Sequence, residues 1–133
     1  MSDAVPDVLH VEVAHPTGGV VLVVLAGELD LVSVRQLQSR IADVDLEESA
    51  HVVIDLAGLD FVDSTGINAL LRSVRNIEAR GATAALAAPS PVTRRVFEIA
   101  RVSQLVHIED DRKRALAWRP APLGSASEAD EES

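Results

Sequence analysis

His51-Val-Val-Ile-Asp-Leu-Ala-Gly-Leu-Asp-Phe-Val-Asp-Ser-Thr-Gly-Ile-Asn-Ala-Leu-Leu71 is the stretch whose reading decides the fold. It opens on Val52, Val53 and Ile54, a β-branched apolar run of the kind a buried strand favours. Asp55 is expected to end that strand, Gly58 to allow a tight turn, and Phe61-Val62 to add one more apolar anchor. After Asp63-Ser64-Thr65-Gly66 the period changes. Ile67, Leu70, Leu71, Val74 and Ile77 recur at i, i+3, i+4, i+7 and i+10, one face of a helix. Gly81, just after Arg80, is a natural stop. A polar tetrapeptide thus sits where a buried strand hands over to an amphipathic helix. Asp63 is the expected cap, and Ser64 starts the first turn. The unpaired N–H groups of that turn make a locally positive end that suits an anion.

Outward from this junction, strands and helices alternate. Residues 8–13 and 20–26 read as strands around the turn His15-Pro-Thr-Gly-Gly19, so they are expected to pair as a hairpin. Gly27-Glu-Leu-Asp30 closes the second strand. Val34, Leu37, Ile41 and Val44 mark a first helix, followed by an acidic loop over 45–49. Beyond the central helix, 83–87 reads as an alanine-rich strand. Ser90 and Pro91 open a third helix, with Val92, Val96, Ile99 and Ala100 expected on its inward face. Residues 105–108 read as a short strand. Asp110 or Asp111 caps a last helix ending near Trp118. The alternation from residue 20 onward argues a mixed α/β sheet.

Composition sets the outer limits. A chain of 133 residues, 47% apolar, is large enough for one core without metal or disulfide staples. With aromatics at 2%, Val, Leu, Ile and Ala must build that core. There is no cysteine, which excludes disulfides, thiolate metal sites and a Cys nucleophile. A formal net charge of −9 argues against direct nucleic-acid binding, which needs a basic footprint. The first residues carry neither a basic nor an apolar leader segment. The apolar run from Val20 to Ala26 is far short of the roughly 18–20 residues of a membrane span. A cytoplasmic protein without a membrane span is expected. Its globular part is read over 8–118, with a loose arm over 1–7 and a disordered acidic tail over 119–133.

Four segments carry a family likeness: Gly27-Glu-Leu-Asp30, Val53-Ile-Asp-Leu56, Phe61-Val-Asp-Ser-Thr-Gly66, and Pro89-Ser-Pro91 with Arg94-Arg-Val-Phe97. Together they resemble the STAS domain and, more narrowly, the stand-alone anti-sigma factor antagonists. The resemblance implies an α/β fold, a mixed β-sheet of about five strands with about four helices packed mainly on one side. It implies a phosphorylation-controlled binding protein rather than an enzyme. The partner would be an anti-sigma factor that is also a serine kinase, with a phosphatase to reset the switch. Ser64 matches the phosphorylated serine, Thr65 is the lesser candidate, and Asp30, Asp63, Ser64, Thr65 and Gly66 form the partner-binding set. No cofactor and no metal are implied. The chain departs from the family at Arg101-Val-Ser103, where many members carry a glycine; this bears on the helix end and on partner choice.

Each of these residues also has a plainer reading. Ser64 and Asp63 satisfy helix donors, Asp30 caps the first helix, and Arg72, Arg75, Arg94, Arg95 and the Arg112-Lys-Arg114 cluster lie on solvated faces. Asp30 and Asp63 could share a cation, but two carboxylates are a thin ligand set. No His-Glu-x-x-His, Gly-x-Ser-x-Gly or Gly-x-x-x-x-Gly-Lys motif is present, so an enzyme acting through Asp30 and Asp63 has little support. The alternative within the family is a subunit or scaffold of another regulatory or lipid-transport complex.

Overall fold

The computed structural model describes residues 8–47 and 50–121. The expected arm over 1–7, part of the acidic loop (Glu48 and Ser49) and all of the expected tail beyond Ala121 lie outside the described residues. The elements run β1 (Leu9–Ala14), β2 (Val20–Leu29), α1 (Val34–Asp43), β3 (His51–Val62), α2 (Ser64–Ala79), β4 (Thr83–Ala87), α3 (Pro91–Ala100), β5 (Ile108–Glu109) and α4 (Arg112–Ala117). One sheet holds the strands in the order β1-β2-β3-β4-β5. β1 and β2 form the expected antiparallel hairpin, and the other neighbours are parallel.

This topology explains the layers. The parallel strands advance across the sheet in one direction, and their crossovers are right-handed, so α1, α2 and α3 fall on one face. Val23, Ile54 and Leu86 point to that face and bury against Leu37, Ile41, Leu70, Ile77 and Phe97. The intervening residues Leu22, Val53, Ala85 and Ala87 point the other way and pack on Ala115 of α4. Adjacent strand residues alternate between the faces, and both faces are covered, which is why β2 and β3 read as unbroken apolar runs. The sheet of five strands with helices mainly on one side agrees with the sequence reading.

Five local expectations need correction. β3 does not stop at Asp55 but continues to Val62, and β2 to Leu29. Asp55 remains in the strand because Arg112 Nε donates to its Oδ2 at 2.7 Å and the amide of Ala57 donates to its Oδ1 at 2.9 Å. Gly58 makes no turn. It lies in β3 opposite Ala26, where a Cβ would sit 2.9 Å from the Ala26 Cβ and from the Leu25 carbonyl oxygen. Its task is close strand approach. Phe61 is no core anchor; it is 45% exposed. In α3 the inward face is Thr93 and Phe97, whereas Val92, Ile99 and Ala100 are exposed. The last strand is Ile108–Glu109, because residues 102–104 coil into a 3-10 turn first.

Candidate functional site

Leu29 and Val62 are register partners at the carboxyl ends of the parallel strands β2 and β3. Asp30 and Asp63 are therefore the next residues on two neighbouring strand exits, which stand about 4.8 Å apart in any sheet. The amide of Asp63 still donates to the Leu29 carbonyl at 3.3 Å, so the two exits are tied together.

Asp63 is the α2 cap. Its Oδ1 accepts from the Gly66 amide at 2.8 Å, satisfying one donor of the first turn. Gly66 is buried, and a Cβ there would collide with the Leu29 carbonyl oxygen and lie 2.9 Å from Val62 Cγ2. A glycine is what lets the start of α2 rest against the end of β2. Between these fixed residues Ser64 is exposed and Thr65 half-buried. The hydroxyl nearest solvent is thus carried by the first residue of a sixteen-residue helix whose next turn is anchored.

Asp30 is placed differently from expectation. It does not cap α1; that position is Ser33, whose side chain makes no cap bond. Asp30 Oδ1 instead accepts from the amides of Val32 at 3.0 Å and Ser33 at 3.2 Å, which folds the loop ahead of the helix. Buried Ser33 completes the loop. Its hydroxyl donates to the Glu28 carbonyl at 2.8 Å and accepts from the Asp30 amide at 3.0 Å. The loop so braced presents Leu31 and Val32, which are 72% and 80% exposed.

The structure thus brings Asp30, Asp63, Ser64, Thr65 and Gly66 to one end of the sheet. It adds three residues that the sequence reading missed, Leu31, Val32 and Phe61. These are exposed apolar groups beside an exposed serine, not core. Leu31-Val32 stood outside any helical or alternating pattern, and that was the only signal available. Among the described residues no three His, Asp or Glu side chains gather where a metal could bind, so the two carboxylates stand without further ligands. No described helix is long and apolar enough to cross a membrane.

A second polar group occupies the opposite end of the sheet. His51 is fully buried, with Nδ1 2.7 Å from Thr83 Oγ1 and Nε2 3.0 Å from the Ala115 carbonyl oxygen. The carbonyl can only accept, so Nε2 carries the proton. Burial lowers the pKa of this imidazole below the ordinary histidine value. Its bonds hold α4 to the sheet and leave no open ring nitrogen for chemistry.

Comparisons with known proteins agree with this geometry. The family model described as STAS domain matches residues 13–115. An anti-sigma F factor antagonist of Lysinibacillus sphaericus is 33% identical over 91 residues, 68% of this chain and 78% of that protein. The anti-sigma-F factor antagonist RsfB of Mycobacterium tuberculosis is 32% identical over 94 residues, 71% of this chain and 75% of that one. The crystal structure of an anti-sigma factor antagonist from Mycobacterium paratuberculosis superimposes with a TM-score of 0.73 at 25% identity, covering 84% of this chain and 94% of that chain.

Proposed function

This chain belongs to the STAS domain family, and from that premise we propose that it is an anti-sigma factor antagonist switched by phosphorylation of Ser64. In the unmodified state it docks on an anti-sigma factor and frees the sigma factor. The anti-sigma factor, acting as a serine kinase, places a phosphate on Ser64 and lets go. A phosphatase restores the docking form. The names of the relatives support the antagonist role. The observation that carries the switch is the setting of Ser64: exposed, first in α2, and flanked by a surface of exposed apolar residues on fixed loops. Thr65 is half-buried and is the lesser acceptor.

Magnitudes say where the switch acts. A phosphoserine brings roughly −1.5 to −2 charges and three strong acceptors. At the start of α2 the helix dipole favours that charge by about 0.3–1 kcal/mol, so the domain keeps its fold. Across an interface, the same charge against a carboxylate costs several kcal/mol. A cost of about 4 kcal/mol weakens binding roughly a thousandfold. Desolvating a doubly charged group among Leu31, Val32 and Phe61 acts in the same direction.

The test is incubation of the full chain with candidate anti-sigma kinases and ATP, followed by mass spectrometry of the peptide holding Ser64. Phosphate on Ser64, with Ser64→Ala binding constitutively and Ser64→Asp binding poorly, supports the reading. Equal binding by Ser64→Ala and Ser64→Asp would remove the charge mechanism.

A further inference from the structure

The two strand exits beside Ser64 combine exposed apolar groups with a single sign of charge. Leu31 and Val32 project from one exit and Phe61 from the other, all three exposed. Contiguous exposed apolar groups of this kind mark interaction sites. Residues 27–33 and 59–66, which make up the exits, hold Glu28, Asp30, Asp60 and Asp63 and no base. The register pairs Glu28 with Phe61 and Leu29 with Val62, so the exits end side by side. The β2 exit is also fixed in advance. Asp30 Oδ1 accepts from the amides of Val32 and Ser33, and the Ser33 hydroxyl donates to the Glu28 carbonyl. A loop braced in this way loses little freedom when something docks on it.

We infer that Leu31, Val32 and Phe61 are the docking anchor for the anti-sigma kinase, an apolar knob that enters an apolar pocket rimmed by lysine or arginine, and that this anchor supplies most of the affinity while Ser64 supplies little. The inference rests on Ser64 being the phosphate acceptor. Phosphoryl transfer needs the Ser64 hydroxyl within roughly 3–3.5 Å of the reacting atom, so the kinase surface closes on this end of the sheet. A standard interface takes about 800 Å² from each partner, a disc roughly 16 Å in radius. Phe61 is three residues from Ser64, at most about 11 Å along the chain. Gly66 of α2 rests on the Leu29 carbonyl, and Ser64 and Leu31 each lie two residues, about 7 Å, from that contact. Charge complementarity then names the partner. Four acids without a base repel an acidic surface and attract a basic one. The cations belong on the rim, opposite exposed Glu28 and Asp60. The group that faces Ser64 is the base that takes its proton, a carboxylate such as protein kinases use, and that group repels the phosphate once it is made.

Anchor contacts are alike in the substrate complex and in the transition state, so they set KM and leave kcat alone. Burying one Leu, Val or Phe side chain corresponds to roughly 10–150-fold in affinity. The rim charges act on the approach: they speed association and make it fall with salt. Ile99 offers the same chemistry outside the footprint. It is 78% exposed, and α3 carries it about 13 Å along the helix axis from Ser90, whose hydroxyl donates to the Leu59 carbonyl at the site end of β3.

The test uses the full chain, ATP and the candidate anti-sigma kinase that modifies the parent, followed as phosphate on Ser64. Leu31→Ser/Val32→Ser is expected to raise KM for the chain by about 30-fold or more, with kcat within about twofold, and to weaken binding of the unmodified chain by the same factor. Phe61→Ser, on the other exit, should act in the same direction and decides the matter if the loop variant folds poorly. Ile99→Ser should change neither constant. Glu28→Lys/Asp60→Lys should slow association and flatten its salt dependence, with dissociation little changed. Unchanged KM in both anchor variants overturns the inference and leaves the Ser64 reading intact. So does a fall in kcat alone, or an equal rise in KM for Ile99→Ser, while an unaltered salt dependence in the lysine variant removes the cationic rim. If no candidate kinase places phosphate on the parent chain, the inference and the Ser64 reading fall together.

Discussion

His51 and Trp118 face each other at the foot of the sheet, ring centroids 5.9 Å apart and planes tilted by 49°. The imidazole carries the α4 hydrogen bond to Ala115, and the indole closes over it. Among the described residues no carboxylate is bonded to this ring: Glu109 engages His107 at 2.6 Å and Asp55 engages Arg112. Burial of the ring disfavours its charged form, and the neighbouring Arg119 and His107 act in the same direction. The folded state therefore favours neutral His51, and its pKa lies below the ordinary 6.5 of the unfolded chain. The sign follows. Below about 6.5 the unfolded chain binds the proton more readily, so stability is complete above that pH and falls as pH drops through it. Thermal melts at pH 7.5 and 5.5, followed by the single tryptophan, should show a lower midpoint at the acid pH. In His51→Gln, which keeps a donor for Ala115, that difference should shrink. An unchanged pH response in the variant would show that other groups control it.

Asp63 and Ser64 are adjacent yet should behave oppositely on mutation. Asp63→Ala removes the bond to the Gly66 amide and should cost about 0.5–2 kcal/mol by urea denaturation. Asp63→Asn keeps an acceptor and should recover most of that. Ser64 is exposed, so Ser64→Asp should lie within about 0.5 kcal/mol of the parent. Partner binding is expected to respond in the other order, with Ser64→Asp the more damaging. A large stability loss in Ser64→Asp would mean that the switch works through the fold.

Gly66→Ala tests how tightly α2 is set against β2. The added methyl meets the Leu29 carbonyl and Val62, and that carbonyl is held in place by the amide of Asp63. Overpacking of this kind costs about 1–3 kcal/mol. The expected result is a lower urea midpoint at unchanged slope. Gly81→Ala makes a useful contrast: nothing stands within 4 Å of its Cβ, so any cost comes from its φ of +90° alone.

How much of this was legible in the residues depends on where the deciding partner lies. α2 could be read in full because Ile67, Leu70, Val74 and Ile77 pattern against one face, and its cap and stop are local. The length of β3 could not. Asp55 looks like a strand end until Arg112, fifty-seven residues later, neutralises it. Gly58 looks like a turn until Ala26 on the neighbouring strand occupies the space of its missing Cβ. Periodicity also reports that a residue is apolar without saying what covers it. Thus Val92 and Ile99 were assigned to the core on the same grounds that place Ile67 there correctly, and Phe61 likewise. The serine and its two aspartates were legible through the family likeness; the exposed apolar residues around them required the fold.

The edge of the sheet is guarded by α1. Gln36 Nε2 donates to the Leu9 carbonyl at 2.6 Å and Arg40 Nη1 to the Val11 carbonyl at 2.8 Å. Both carbonyls lie on β1, whose other side is paired with β2, so these side chains occupy acceptors that a foreign strand would use. Gln36→Ala/Arg40→Ala should cost about 0.5–1.5 kcal/mol per lost bond. Its clearer signature is association. Light scattering at rising concentration should detect dimers or larger species in the double variant and none in the parent. A variant that stays monomeric at every concentration would show that the edge is protected by other means.

Arg101 closes α3 in the left-handed region, with φ 57° and ψ 41°. A side chain there costs about 1–2 kcal/mol, of which glycine's greater freedom in the unfolded chain returns a part. The amide of Arg101 donates to the Glu98 carbonyl at 3.2 Å, a bond that glycine keeps. Arg101→Gly is therefore expected to raise stability by ~0.5–1 kcal/mol, whereas Arg101→Ala, with the same strained backbone, should gain nothing. A glycine variant that melts lower than the parent would show that the arginine stabilises the helix end through packing.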